Sequence, residues 1–232
     1  NEQWFRRIGG GIYGHVRDML AAPGGGLLLL GDLQGTMLFM DDVPDMIAGE
    51  SPYNYYLLKV DAAGQLAAQG QLGSSNGLSA RGLDMRNDTI SVIGQFNCRF
   101  NALGDHYGGS GLFMAAGEED IFVTRHRWND LGFIEARHFG GSGGKLAGHV
   151  ATLPNGDVIA CGSYERSIAF ATTTANSISG DEFNGYVPTP NPPNPPGCPE
   201  LANKTFRAQD AMGLMDGFIA RAYVRDSVVF DW

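Results

Sequence analysis

Short apolar runs that end in glycine recur three times along the chain. They read GLLLLG at residues 26–31, DTISVIG at residues 88–94 and GDVIACG at residues 156–162. Each run follows a turn-forming sequence (PGGG, RND or PNG) that is typical of a β-hairpin. We therefore expect three equivalent strands, each entered from a tight turn and closed by its glycine.

Three further features recur with the same long period. A phenylalanine follows each glycine-closed run, at Phe39, Phe100 and Phe170. An aromatic strand that begins with an acid or amide and ends with a base comes next, at residues 54–59, 120–125 and 216–221. A strand that leads into a glycine-bearing loop completes the pattern, at residues 4–10, 69–73 and 137–141. Four features with one period indicate an internal repeat.

Each repeat predicts four antiparallel strands, which we call A to D. Strand A precedes the hairpin turn, strand B ends in the glycine, strand C is the aromatic strand and strand D leads into the glycine loop. Four strands that recur without helices are typical of the blades of a β-propeller. The predicted fold is all-β, with three four-stranded blades at about residues 14–72, 78–139 and 147–232.

The predicted ring of blades is incomplete. Residues 1–8 read as an extra outer D strand at the N-terminus, with no A, B or C strand before it, and residues 228–232 read as the D strand of the third blade. Propellers typically contain four to eight blades, so three blades form only a partial ring. Either further blades of the same polypeptide or a second chain would cover the open faces, two half-rings giving six blades.

Each repeat carries a large insertion between strands B and C. The insertions span about residues 40–53, 101–119 and 171–215, and the third contains a proline-rich stretch at 188–197. That stretch predicts either a stiff surface loop or a strap that docks on a neighbouring subunit or partner. In a four-strand meander the B–C and D–A connections emerge on the same face, which makes this loop face the expected binding surface.

Five residues are predicted to lie on this loop face and to contribute to binding. His15 and His149 are placed comparably, near the start of strand A. The five residues are Tyr13, His15, Asn76, Arg81 and His149.

Charge and composition exclude several classes of partner. The chain has 232 residues with a net charge of −9, and its 16 Lys and Arg residues are scattered, so a nucleic-acid interface is not expected. No apolar run approaches the roughly 20 residues of a membrane span. Cys98 opens the second insertion and Cys198 follows the proline-rich stretch within the third, which predicts a disulfide between these loops of neighbouring blades. Cys161 is expected to be a buried free thiol.

No catalytic or metal-binding motif is present in the sequence. A nucleophile elbow and a paired-histidine metal helix are both absent, and the glycine-rich runs precede no helix that could bind phosphate. The acidic clusters at residues 41–45 and 118–120 lack the spacing of a calcium loop. We therefore expect no catalytic residues, no metal and no cofactor.

Several repeat motifs resemble those of the bacterial SBBP-type β-propeller repeat family. The matching residues are DIFVTR at 120–125, DGFIAR at 216–221, FGG at 139–141 and PNGD at 154–157. The first repeat departs from the family pattern, with NYY at 54–56, and so do the long insertions. The resemblance implies a bacterial protein that is secreted, displayed at the cell surface or periplasmic, often with an adhesive role. It carries no shared catalytic residues.

The expected function is non-enzymatic. We predict an extracellular or cell-surface propeller that mediates protein interaction, adhesion or assembly through its loop face and open blade edges. A carbohydrate-binding propeller lectin is the first alternative, although Trp4, Trp128 and Trp232 do not occupy equivalent repeat positions. A propeller hydrolase or lyase that acts on polysaccharide is the second alternative, because the separation of two carboxylates cannot be read from a sequence.

Overall fold

The structure, a computed structural model, is all-β in the residues that it describes. These are residues 4–9, 13–39, 45–48, 53–101, 112–115, 118–140, 143–165, 167–170, 177–179, 205–207 and 215–222. They contain no helix. The strands are β1 Ile8–Gly9, β2 Tyr13–Ala21, β3 Leu27–Gln34, β4 Thr36–Phe39, β5 Asp45–Ala48, β6 Tyr53–Val60, β7 Leu66–Arg86, β8 Thr89–Asn101, β9 Leu112–Met114, β10 Asp120–Arg127, β11 Phe133–Gly140, β12 Lys145–Thr152, β13 Val158–Tyr164, β14 Ser167–Phe170, β15 Ser177–Ser179, β16 Thr205–Arg207 and β17 Asp216–Ala222.

Antiparallel pairing groups these strands into three open sheets of four, four and three strands, which we label blades 1, 2 and 3 after the predicted repeats. Blade 1 is β2-β3-β6 with the first half of β7, and blade 2 is the second half of β7 with β8, β10 and β11. Blade 3 is β12-β13-β17. The predicted strand order A–B–C–D is therefore confirmed in blades 1 and 2 and as A–B–C in blade 3. The D strand predicted for blade 3 at 228–232 lies outside the described residues.

Strand β7 belongs to two blades at once. Its first half pairs with β6 from Leu66 to Ser74, and its second half pairs with β8 from Gly73 to Arg86. The register shifts between Ser74 and Asn76 and again before Leu78, which lets the strand bend as it passes from one blade to the next. The prediction of a glycine-bearing loop after residue 73 is therefore wrong, because one continuous strand connects strand D of blade 1 to strand A of blade 2.

The closing glycines pair with the aromatic residues of strand C in all three blades. The Cα partners are Gly31 with Tyr56, Gly94 with Phe122 and Gly162 with Phe218. A Cβ atom on any of these glycines would collide with the ring of its partner and with a carbonyl oxygen of strand A. Glycine is required because two neighbouring strands approach this closely. The closing glycine and the aromatic residue of strand C, which are separate features of the sequence, are therefore paired in the structure.

After each closing glycine, strand B or the short strand that continues it pairs with a D strand. This D strand is the one that precedes the blade in the sequence. The recurrent phenylalanines make this contact, in the pairs Ile8–Phe39, Ser74–Phe100 and Phe139–Phe170. Strand β1 therefore holds the position of a D strand relative to blade 1, as predicted for the N-terminus. It is shorter than expected, because residues 4–7 form no strand.

The core lies between the blades rather than within any one of them. One cluster of buried apolar side chains joins blade 1 to blade 2, and a second joins blade 2 to blade 3. A third covers the outer strands of blade 1, where Trp4 and Ile8 pack. The Trp4 Nε1 donates to the Ala62 carbonyl over 3.0 Å, and the Arg6 Nε donates to the Gly64 carbonyl over 2.8 Å. The N-terminal segment is thereby fixed against the C–D turn of blade 1.

Short strands also form inside the insertions. Strand β15 of the third insertion pairs with β11 of blade 2, through Glu135–Ser179, Ala136–Ile178 and Arg137–Ser177. This described part of the insertion therefore pairs with a neighbouring blade of its own chain. The proline-rich stretch at 188–197 lies outside the described residues.

Candidate functional site

Each A strand contains an irregularity close to the closing glycine of its blade. The register shifts between Val16 and Asp18 in β2, between Ala80 and Gly82 in β7, and between Ala147 and Val150 in β12. Such a bulge leaves a residue out of the ladder and redirects its side chain. The three bulges contain Arg17, Arg81 and the pair Gly148–His149. Polar residues therefore occupy one repeat position on three consecutive A strands.

Tyr13, His15 and Arg17 form a small group on strand β2. The rings of Tyr13 and His15 are exposed, with centroids 4.4 Å apart. The Arg17 guanidinium donates to the Tyr13 hydroxyl over 2.9 Å and to the Asp32 carboxylate over 2.5 Å. The structure thus brings two predicted residues together and adds Arg17 and Asp32, which sequence reasoning missed. One signal was available, because Arg17 precedes Gly31 by nearly the same interval that separates Arg81 from Gly94.

Arg81 and His149 are both exposed and lie on neighbouring A strands. A Cβ atom on Gly82 would be 3.6 Å from the His149 Nδ1, so the imidazole lies against the residue that follows Arg81. The prediction that His15 and His149 occupy comparable positions is wrong. His15 pairs with Asp32 before the bulge, whereas His149 lies within the bulge of β12.

Asn76 lies in β7, not in a loop, and pairs with Asn97. Its side chain falls outside the described part of the structure, as do the side chain of Cys98 and all of Cys198. The predicted disulfide between these cysteines therefore lies outside the described residues. Cys161 forms no disulfide, as expected, but is half-buried rather than buried.

A polar side chain directly after the closing glycine bonds blade 1 to blade 2 and blade 2 to blade 3. The Asp32 Oδ1 accepts from the Ala80 backbone N–H over 2.6 Å, and the Gln95 Oε1 accepts from the equivalent Ala147 N–H over 3.2 Å. Burial raises the pKa of Asp32, and the hydrogen bonds from Ala80 and Arg17 oppose this effect. Asp32 and Gln95 thus fix the inner strands of neighbouring blades to each other.

A neutral hydrogen-bond network lies between blades 1 and 2. The Tyr55 hydroxyl is 2.6 Å from the Thr124 hydroxyl and 2.9 Å from the His126 Nε2. The His126 Nδ1 lies 3.1 Å from the Leu131 carbonyl, which can only accept, so the proton resides on Nδ1. Burial lowers the pKa of His126 to about 4 and raises that of Tyr55. Both groups are therefore uncharged at neutral pH.

A charged cluster links blade 2 to blade 3 at a different repeat position, where strand C of blade 2 and strand A of blade 3 begin. The Asp120 carboxylate is 3.0 Å from the Lys145 Nζ and 2.6 Å from the His138 Nε2. The Lys145 ammonium also donates to the carbonyls of Glu119 and Gly143. All three charged or titratable side chains are almost completely buried. They have the composition of a catalytic group, but substrate has no access to them, and their partners give them a structural role.

The two end blades expose side chains at positions that are buried between blades. On blade 1, Met19 is 62 % exposed, whereas the equivalent Leu83 and Val150 are 5 % and 9 % exposed. Val16 is similarly exposed, while its equivalents in blades 2 and 3 are buried. We call Val16 and Met19 the front face.

The opposite end of the described structure shows the same contrast. On blade 3, Ile219 is 75 % exposed, whereas the equivalent Leu57 and Val123 are at most 3 % exposed. Cys161 is half-buried where Leu30 and Ile93 are fully buried. We call Cys161, Gly217 and Ile219 the back face. The front and back faces are thus two apolar surfaces of the kind that blades bury against each other.

Within the described residues, no group of three or more His, Cys, Asp or Glu side chains could hold a metal ion. In the second acidic cluster, Glu119 accepts from the Gln95 amide and Asp120 is paired as above, so these two residues have structural partners. Acidic residues 41 and 42 of the first cluster lie outside the description. No described helix is long and apolar enough to cross a membrane.

No family model matches this chain, and no curated protein sequence matches it significantly.

Proposed function

We propose that this chain is part of a β-propeller and acts as a non-enzymatic interaction module that assembles with further blades through its front and back faces. One observation carries the proposal: Met19 and Ile219 are exposed at repeat positions that are buried wherever two blades meet. Apolar side chains that are exposed at positions otherwise buried between blades favour a contact with another protein surface there. Stacking of blades around an axis is the propeller arrangement.

Burial of the exposed apolar side chains on these faces would favour association. Complete burial of a Val, Ile or Met side chain contributes about 1.5–3 kcal/mol, and the faces together offer at least three such side chains. This gain offsets only part of the loss of translational and rotational freedom on binding, so other contacts must contribute as well. The internal contacts between blades add hydrogen bonds from Asp32 and Gln95, so packing and polar bonding act together.

The groups able to support chemistry are used to hold the blades together. The Asp120–His138–Lys145 cluster and the Tyr55–Thr124–His126 network are both buried between blades. This favours an interaction module over an enzyme. The sugar-binding and polysaccharide-cleaving alternatives stay predictions, as do the SBBP resemblance and the secreted or cell-surface location.

Light scattering after size-exclusion chromatography tests the proposal. We expect the wild-type chain to form an assembly larger than its monomer mass of 24.8 kDa. The variant Met19→Asp/Ile219→Asp places a carboxylate on each face and should elute as a monomer. The control variant Ala63→Asp/Asn87→Asp adds the same charge on exposed turns and should assemble like the wild type. A wild-type chain that remains monomeric would contradict the proposal.

A further inference from the structure

We propose that Tyr13, His15 and Arg17 of strand β2 form a binding site for a neutral sugar. The apolar face of the sugar ring lies on the two aromatic side chains, and its hydroxyl groups accept hydrogen bonds from the Arg17 guanidinium. The site is separate from the front and back faces, so its occupation does not depend on assembly with further blades.

The exposure of the two rings does not result from an open end of the structure. His15 pairs with Asp32, and directly opposite residues of an antiparallel pair point to the same side of the sheet. Tyr13 lies two residues earlier on the strand and so points to that side as well. The Asp32 carboxylate accepts from the Ala80 N–H of blade 2, so blade 1 already has its neighbour on this side. Tyr13 is nevertheless 40 % exposed, and His15 is exposed too.

The repeat does not require either ring. His15 lies opposite the residue that follows the closing glycine, where blade 2 has Ser79 and blade 3 has Leu146. Tyr13 is equivalent to Asn76, since each pairs with the third residue after the closing glycine. A structural role shared by the blades would retain similar side chains at these positions. The pair of rings is therefore a feature of blade 1 alone.

The Arg17 guanidinium is fixed beside the rings. It donates to the Tyr13 hydroxyl over 2.9 Å and to the Asp32 carboxylate over 2.5 Å. Asp32 is held in turn by the Ala80 N–H and by the Ser79 hydroxyl at 3.4 Å. A side chain held in this way loses little further freedom when it binds a ligand. Only these two contacts engage the guanidinium among the described residues, so three of its five N–H groups can still donate.

The chemistry of the site favours an uncharged ligand that carries oxygen acceptors. Arg17 offers donors and its side chain is 26 % exposed, whereas the Asp32 oxygens are buried and already bonded. Asp32 balances the charge of Arg17, and the whole chain has a net charge of −9, so an anionic ligand would gain little from this guanidinium.

The rings supply the apolar part of the site. Those of Tyr13 and His15 are tilted by 50° with centroids 4.4 Å apart, and they lie next to the donors of Arg17. Aromatic surface combined with a few fixed polar groups is the usual composition of a small-molecule site. A neutral sugar matches both parts, because its ring has an apolar face of C–H groups and a rim of hydroxyl oxygens.

Titration with the methyl glycosides of glucose, galactose and mannose tests the proposal, with proton–nitrogen correlation NMR as the readout. We expect at least one glycoside to shift the backbone signals of residues 13–17, with a dissociation constant of about 1–10 mM, as is usual for a ligand of this size. The signals of β13 and β17 in blade 3 should not move. The uronide that corresponds to the bound glycoside adds a carboxylate and should bind more weakly.

Single substitutions separate the contributions of the rings and the guanidinium. Tyr13→Ala and His15→Ala each remove one exposed ring and should raise the dissociation constant about threefold to tenfold. Arg17→Lys keeps the charge that balances Asp32 but loses the planar donor group, and should also weaken binding. Phe5→Ala is the matched control, because it removes a ring that is 74 % exposed outside the site. Circular dichroism reports whether each variant folds.

Shifts confined to the site, together with weaker binding by the two ring variants but not by Phe5→Ala, support the proposal. It is overturned if none of the glycosides shifts the signals of residues 13–17 at concentrations well above the expected dissociation constant. It is also overturned if the ring variants bind as tightly as the wild type, or if the uronide binds more tightly than the neutral sugar. None of these results bears on the assembly of blades, which light scattering measures separately.

Discussion

The two interfaces between blades bury apolar side chains at the same repeat positions but differ in their polar chemistry. Between blades 1 and 2, Tyr55, Thr124 and His126 form an uncharged hydrogen-bond network. Between blades 2 and 3, Asp120, His138 and Lys145 form a buried charged cluster. The apolar packing is equivalent at the two interfaces, so the repeat specifies the packing and leaves the polar groups free to vary.

The difference involves two positions that change together. Asp120 begins strand C of blade 2, and Lys145 begins strand A of blade 3. The equivalent residues at the first interface are Asn54 and Leu78, as the strand pairing shows. At the second interface a buried acid is thus accompanied by a base, whereas at the first interface a neutral amide is accompanied by an apolar residue. A buried ion pair often contributes little net stability, but removal of one partner is costly.

The largest effect is expected at Lys145. Lys145→Met leaves the Asp120 carboxylate without its ammonium partner and should lower the free energy of unfolding by about 3–5 kcal/mol in denaturant titrations. Lys59→Met is the control at the first interface, where the Lys59 ammonium lies over the Trp128 ring at 4.0 Å. The control should lose only about 0.5–1 kcal/mol.

A second variant at the same site sharpens the comparison. Asp120→Asn/Lys145→Leu copies the pair found at the first interface and should recover most of the stability lost in Lys145→Met. If Lys145→Met is no less stable than Lys59→Met, the charged cluster has no special role and the contrast between the interfaces disappears.

The next effect is a pH dependence at the first interface. His126 has a folded-state pKa of about 4, below its unfolded value of about 6.5, so only the unfolded chain binds a proton between these pH values. Stability should therefore fall as the pH decreases from about 6.5 to 4, by about 3 kcal/mol in total. His126→Gln should lack this component when unfolding free energies are compared across that pH range.

The carboxylates titrate in the same range, so the wild-type profile is compared with that of a matched control. His149→Gln removes an exposed imidazole instead of a buried one, and its profile should follow the wild type. If the pH dependence of unfolding of His126→Gln also follows that of the wild type, the folded structure does not keep His126 neutral and the prediction is wrong.

The smallest effect concerns the side chain after the closing glycine. Asp32→Ala removes the acceptor of the Ala80 N–H and the partner of Arg17, and should cost about 1–3 kcal/mol. Asp32→Asn keeps an acceptor and copies the amide of Gln95, and should cost less than about 1 kcal/mol. Thermal unfolding of the two variants gives this difference, and equal losses would mean that the carboxylate charge, not the acceptor, matters at this position.

Local sequence patterns predicted the strands but not the contacts between blades. The glycine-closed runs and the aromatic strands were found because their turns and residue alternation are short-range signals. The pairing of Gly94 with Phe122 depends on strand register, which alternation alone does not give. The continuity of β7 was missed because its glycines and serines, from Gly70 to Gly77, have the composition of a loop.

The candidate site was predicted only in part for a related reason. Tyr13, His15, Arg81 and His149 lie on A strands and are exposed, but their grouping depends on bulges that no local pattern marks. Arg17 and Asp32 were missed because their pairing joins strands A and B across the closing glycine. Open faces at the two end blades were expected, but Met19 and Ile219 were not identified on them, because their positions depend on strand pairing.

The passage of β7 through two blades has a consequence for how the molecule unfolds. Opening of blade 1 would remove the strand that also forms the inner edge of blade 2, so the two blades share one cooperative unit. Repeat proteins usually behave as a sum of repeats and nearest-neighbour terms, which allows terminal repeats to fray separately. Here fraying of blade 1 is coupled to blade 2 through the backbone as well as through side-chain packing. Blade 3, which hydrogen-bonds within its own sheet of β12, β13 and β17, has no such shared strand among the described residues.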